Sequence, residues 1–130
     1  MHRSSESHKA VFRRAVEVWA AGDISKLDEV VAPSYIGHTS AGERDLDGLR
    51  ETIEAFHRLH SQCSFRVEDQ MVDGEKVITR MTADVTMRDS GESVTLMGIN
   101  ISRIVDGKIV EEWNTWEPLI KGRMKSVTRS

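Results

Sequence analysis

The sequence predicts an α+β domain, with helices in its first half and an antiparallel meander in its second. Up to about residue 60 the apolar residues recur at helical spacing, whereas from Gln62 onward they alternate with a period of two. The links between the alternating runs, "DGE", "DSGE" and "VDGK", are short and Gly-bearing. Such links suit hairpins and leave no length for parallel crossovers.

The first element is "HKAVFRRAVEVWAAGD", where Phe12, Val16 and Trp19 fall on one stripe and Gly22 stops the helix. Asp23 is a suitable N-cap for a second, short helix, "ISKLDEVV", which Pro33 is expected to end. "SYIGHTS" reads as a brief strand running into a loop, "SAGERD". Leu46, Leu49, Ile53 and Phe56 mark a third helix that begins near Asp45. Four strands follow: "CSFRVEDQMV", "EKVITRMTADVTMR", "SVTLMGINISRIV" and "KIVEEWNTWEPLI". The last of these has no clean core face. Val110, Glu112, Asn114, Trp116 and Pro118 share one side, and Ile109, Glu111, Trp113, Thr115 and Glu117 the other. A strand that mixes tryptophan with carboxylates and amides in this way cannot be wholly core.

With 130 residues and 38% hydrophobic content, the chain fits one domain over residues 1–130, with its core in about 8–119 and a frayed tail at 121–130. The net charge of −3, from 18 basic and 21 acidic side chains scattered along the chain, gives no footprint for a polyanion, so no nucleic-acid partner is expected. Cys63 is the single cysteine, which excludes an intramolecular disulfide and makes the cytoplasm the default compartment. The start "MHRSSESHKA" has no apolar h-region and no window approaches a membrane span, so no membrane partner is expected either. No glycine-rich phosphate loop, nucleophile elbow or zinc motif occurs, and no cofactor is expected.

The order of elements, together with "WAAGDISKLDEVVAPSYIGH" and "GINISRIVDGKIVEEW", resembles the SnoaL-like polyketide cyclases of the nuclear transport factor 2-like superfamily over roughly residues 8–119. The resemblance implies a cone, in which a bent, mostly antiparallel sheet wraps around three N-terminal helices and encloses a pocket for a small apolar molecule. It also implies a homodimer formed through outer sheet faces, to which Val77, Met81 and Met87 could contribute if they point outward. The superfamily includes cyclases, isomerases, epoxide hydrolases and non-catalytic binding modules, so the pocket positions have to decide.

Set against ketosteroid isomerases, the resemblance puts Asn100 where an acid sits and Ala15 near a tyrosine. Set against limonene-epoxide hydrolases, it puts Asn114 at the water-activating aspartate and Arg80 at the arginine of the triad, with Asp84 further along the same strand. An amide cannot take a proton from water. By elimination, His38 is the expected acid or base, with Glu112 as a second proton carrier and Asn100 and Asn114 as hydrogen-bond donors. Trp19, Tyr35, Phe56, Arg80, Met97 and Trp116 are the expected substrate-binding residues. His57 and His60, three apart, lack a carboxylate or cysteine at matching spacing, so solvent exposure is expected rather than a metal. Two main functions follow: a cofactor-independent cyclase or isomerase that moves a proton on a small polyketide- or steroid-like carbonyl compound, or a binding module that has kept the pocket and lost its acids. An epoxide hydrolase with an altered triad is the third.

Overall fold

The computed structural model describes residues 2–120, with the side chains of residues 2–4 set aside. The tail at 121–130, expected to fray, lies outside the described residues.

Helix α1, His2–Ala21, buries Phe12 and Ala15 and ends where Gly22 takes a positive φ of 69° and its N–H donates to the Val18 carbonyl at 3.0 Å. The second helix is a 3-10 helix, Ile24–Glu29, capped by Asp23, whose carboxylate accepts from the Ser25 N–H. Pro33 does not end it. The chain is already extended in β1, Val31–Thr39, and Pro33 falls where the pairing of β1 with the last strand shifts register, so its missing N–H breaks no ladder bond. Part of the expected loop is a strand too: β2, Gly42–Arg44, folds back on β1 with Thr39 opposite Gly42. Helix α2, Leu46–Leu59, starts at Asp45, whose carboxylate accepts from the Gly48 N–H at 2.9 Å, and buries Leu46, Leu49 and Ile53. The three expected helices are therefore two α-helices and one 3-10 helix.

Strands β3, His60–Asp73, β4, Lys76–Met87, β5, Ser93–Val105, and β6, Lys108–Pro118, form the expected antiparallel meander. The six strands make one sheet in the order β2-β1-β6-β5-β4-β3, and β1 and β6 run parallel. Phe65 on β3 and Trp116 on β6 have ring centroids 6.1 Å apart, although their strands stand three places apart. In a flat sheet that separation is roughly 14 Å, so the sheet curls with this face inside and the helices filling it. Val77 and Met81 point into this concave face and are 0% and 3% exposed, and Met87 is half-buried at the end of β4. They form no apolar outer face. Met71 on β3, Ile78 on β4, and Ile99 and Ile101 on β5, which lie on the opposite side of the sheet, provide one.

Candidate active site

The mixed pattern of the last strand has a local cause. Ile104 pairs with Ile109 and Arg103 with Glu111, so Val110 is an extra residue in β6 and shifts the alternation by one. Ile109 therefore points inward with Glu112, Asn114 and Trp116, while Glu111 and Trp113 point outward. Across the ladder Glu112 faces Ser102, Asn114 faces Asn100, and Trp116 faces Gly98. A Cβ at position 98 would stand 2.5 Å from the Trp116 ring, so glycine is what lets the indole lie across β5.

These side chains border a cavity of about 670 Å³ between the helices and the inner sheet face. One end is aromatic. Trp19 meets Phe56 edge-on at 5.2 Å, and Phe65 bridges from Phe56 to Trp116. The other end is polar and centres on Glu112, only 7% exposed. Its Oε1 accepts from the Tyr35 hydroxyl and, at 3.4 Å, from Arg44, whose Nε also donates to the Tyr35 oxygen at 3.3 Å. Its Oε2 accepts from the Asn100 amide at 2.9 Å. The Ser102 hydroxyl has one proton and gives it to Asn100 Oδ1 at 2.6 Å, so its 3.5 Å approach to Oε2 is not a competing bond. One lone pair of Oε2 remains. The Asn114 amide, also in the cavity wall, has no side-chain hydrogen-bond partner among the described residues.

Arg44 is the cation that balances Glu112, and both side chains are largely buried, at 16% and 9% exposure. Burial first, and the Glu112 carboxylate second, hold the Tyr35 phenol well above the usual tyrosine range, with Arg44 opposing. Tyr35 is thus a proton donor fixed behind Glu112. It does not line the cavity, as a substrate-binding residue would. Gly37 leaves the space that the tyrosine hydroxyl occupies.

Of the residues expected at the site, Trp19, Phe56, Asn100, Glu112, Asn114 and Trp116 border the cavity. His38, Arg80 and Met97 do not. His38 stands on the outer face, where Nε2 is 2.8 Å from Glu111, Nδ1 is 3.2 Å from Glu43, and the ring stacks on Trp113 at 5.2 Å. The reason is alternation: Tyr35 takes the inward position of β1, and His38, an odd number of residues away, faces out. Its hydrogen bond is the main influence holding Glu111 below the usual carboxylate range. Arg80 pairs with Asp69 at 2.9 Å on the outer face, and Met97 is 41% exposed there.

The structure adds Arg44, Phe65 and His60 to the cavity wall. Arg44 lay in a segment read as loop, and its charge gave no hint of burial. His57 and His60 are half-buried and not solvent-exposed, with ring nitrogens on the Trp19 and Phe56 carbonyls respectively. No group of three or more His, Cys, Asp or Glu among the described residues is placed to hold a metal ion. A second cleft of about 700 Å³, lined by His57, Cys63, Asp84 and small polar side chains, opens beyond the end of α1. Burial there raises the Cys63 thiol. No helix among the described residues is long and apolar enough to cross a membrane.

A family model for the SnoaL-like domain matches residues 12–112. Wild-type IdmH from Streptomyces antibioticus, itself put forward as a polyketide cyclase, is similar in structure, with 24% identity and a TM-score of 0.78 over 85% of this chain and 91% of that one. A SnoaL-like polyketide cyclase from Agrobacterium tumefaciens C58 is 14% identical with a TM-score of 0.75, over 85% of this chain and 91% of that one. PrhC from Penicillium brasilianum is 14% identical with a TM-score of 0.79, over 88% and 82%. At these identities the likeness concerns the fold. No curated protein matches the chain in sequence.

Proposed function

Because the chain belongs to the SnoaL-like domain family, we propose that it is a cofactor-independent enzyme that moves a proton on a small, largely apolar carbonyl compound of polyketide or steroid type. The observation that carries this reading is the Glu112 carboxylate at the polar end of an otherwise apolar cavity, beside the unpartnered amide of Asn114. A carboxylate with a free lone pair can take a proton from carbon α to a carbonyl, and an adjacent N–H can hold the enolate oxygen that results.

The step balances within one molecule. The C–H bond breaks, its proton goes to Glu112 Oε2, and the electron pair becomes the enolate, held by the Asn114 amide and the free N–H groups of Arg44. The enolate carbon bonds to a second carbonyl carbon, and the alkoxide formed takes the proton back. Tyr35 and Asn100 keep the carboxylate in place through both transfers.

This replaces His38 with Glu112 as the base. The hydrolase reading loses its arginine, since Arg80 lies on the outer face. A non-catalytic binding module remains a specific second reading, favoured by the two asparagines at positions where related enzymes carry acids. Exchange of α-protons for deuterium in a planar ketone such as tetralone separates the two. The enzyme should exchange them faster than buffer, and Glu112→Gln should remove roughly 10²- to 10⁴-fold of that rate. Binding without exchange would establish the module instead.

Two copies pair through the outer sheet face, where Met71, Ile78, Ile99 and Ile101 form an apolar strip across three strands. The sole cysteine and the absence of any possible internal disulfide support a cytoplasmic location.

A further inference from the structure

His60 opens β3 at the aromatic end of the cavity, and its ring borders both the cavity and the second cleft. Its Nδ1 lies 2.8 Å from the Phe56 carbonyl oxygen, and its ring leans on the Phe56 ring at 4.3 Å. A carbonyl oxygen only accepts, so Nδ1 carries the proton, and in the neutral imidazole Nε2 is left with a lone pair. Among the described residues nothing donates to Nε2. The neighbouring His57 is fixed in the opposite sense, through Nε2 to the Trp19 carbonyl at 2.6 Å, and it borders the second cleft alone.

The cavity therefore offers acceptors at both ends. Glu112 is the charged one, placed where Arg44 and Asn114 supply donors. His60 is the neutral one, leaning on Phe56 in a cluster with Phe65 and Trp116 whose rings offer no hydrogen-bond acceptor. Glu112 and Trp116 are four residues apart on β6, which is roughly 13 Å at the rise of a strand. Resting on the reading of the cavity as a carbonyl site, we infer that its ligand carries a hydroxyl at the end away from the reacting carbonyl, and that His60 Nε2 accepts from it. The ligand class is then a flat hydroxylated ketone, a phenol or enol at one end and a carbonyl at the other.

β-Naphthol and its methyl ether test this, because they share an apolar body and differ in one hydroxyl proton. Binding is followed by tryptophan fluorescence. The naphthol should bind the intact protein roughly 10-fold more tightly than the ether, and His60→Phe should abolish that preference while the ether binds as before. Because His60→Phe could disturb the packing on Phe56, the intact protein gives an independent readout. The Nε2 resonance of His60 should move when naphthol binds and stay in place with the ether. Equal binding of the two probes, or an unmoved Nε2, overturns the inference while leaving the cavity reading intact. A preference that survives His60→Phe and disappears in Glu112→Gln also overturns it, by sending the hydroxyl to the other end. If neither probe is bound, the inference and the cavity reading fail together.

Discussion

Tyr35 donates its hydroxyl proton to Glu112 across the parallel pairing of β1 and β6, joining residues 77 positions apart in the chain. His38 stands on the opposite parity of β1 and faces out, so the polar end of the cavity is built from the parity that carries Tyr35. The interactions around it give measurable expectations.

Tyr35 is the only tyrosine in the chain, so phenolate absorbance reports on it alone. Burial and Glu112 raise its pKa. The folded state therefore holds the phenolic proton more tightly than the unfolded state, whose tyrosine ionises near pH ~10. The stabilisation is complete below that pH and declines above it by about 1.4 kcal/mol per pH unit. A titration should show no phenolate until the protein unfolds. A phenolate signal near pH ~10 with the fold intact would contradict the placement of Tyr35.

Gly98→Ala should cost about 1–3 kcal/mol and displace Trp116, since the new methyl group meets the indole at 2.5 Å. Chemical denaturation gives the first quantity, and a shift in tryptophan emission the second. An alanine variant with unchanged stability and emission would mean that the indole does not lie over β5.

His38→Gln should leave ketone exchange and ligand binding as they are, because the ring stands outside the cavity between Glu43 and Glu111. Its trace should appear in acid. Glu111 is held low, so what it contributes to stability is present above the ordinary carboxylate range and lost as the pH falls through its folded value. Removing His38 should flatten that acid limb of the stability curve. A large loss of exchange activity in this variant would return His38 to the mechanism.

Ile99→Lys combined with Met71→Lys should convert the proposed dimer to a monomer in sedimentation at micromolar concentration, without loss of secondary structure. The intact protein sedimenting as a monomer would dispose of the pairing directly.

Much of the site could be read from the order of residues. Glu112, Asn114 and Trp116 share a face by simple alternation, and Trp19 and Phe56 sit on helix stripes that had to face the sheet. Two things were out of reach. The bulge at Val110 depends on how β6 pairs with β5, so the sequence could not say that Ile109 turns inward on the same face as Glu112. The side taken by His38 depends on β1 meeting β6 in parallel, a contact with no local signal, and "GER" pairs as a strand on the other edge of β1. Arg44 remained hidden for that reason, since its burial beside Glu112 exists only after the sheet has closed.

The position of β6 between β1 and β5 also bears on how the chain comes to be made. A ribosome releases β1 early, but its neighbour in the sheet, β6, emerges only with residues 108–118. Until residues 108–118 emerge, β1 has an open edge and the helices have no complete surface to pack on. Closing so long a loop is slow. A nascent chain that stops short of Lys108 would lack the carboxylate that Tyr35 needs, and would be a ready target for chaperones that bind unpaired strands.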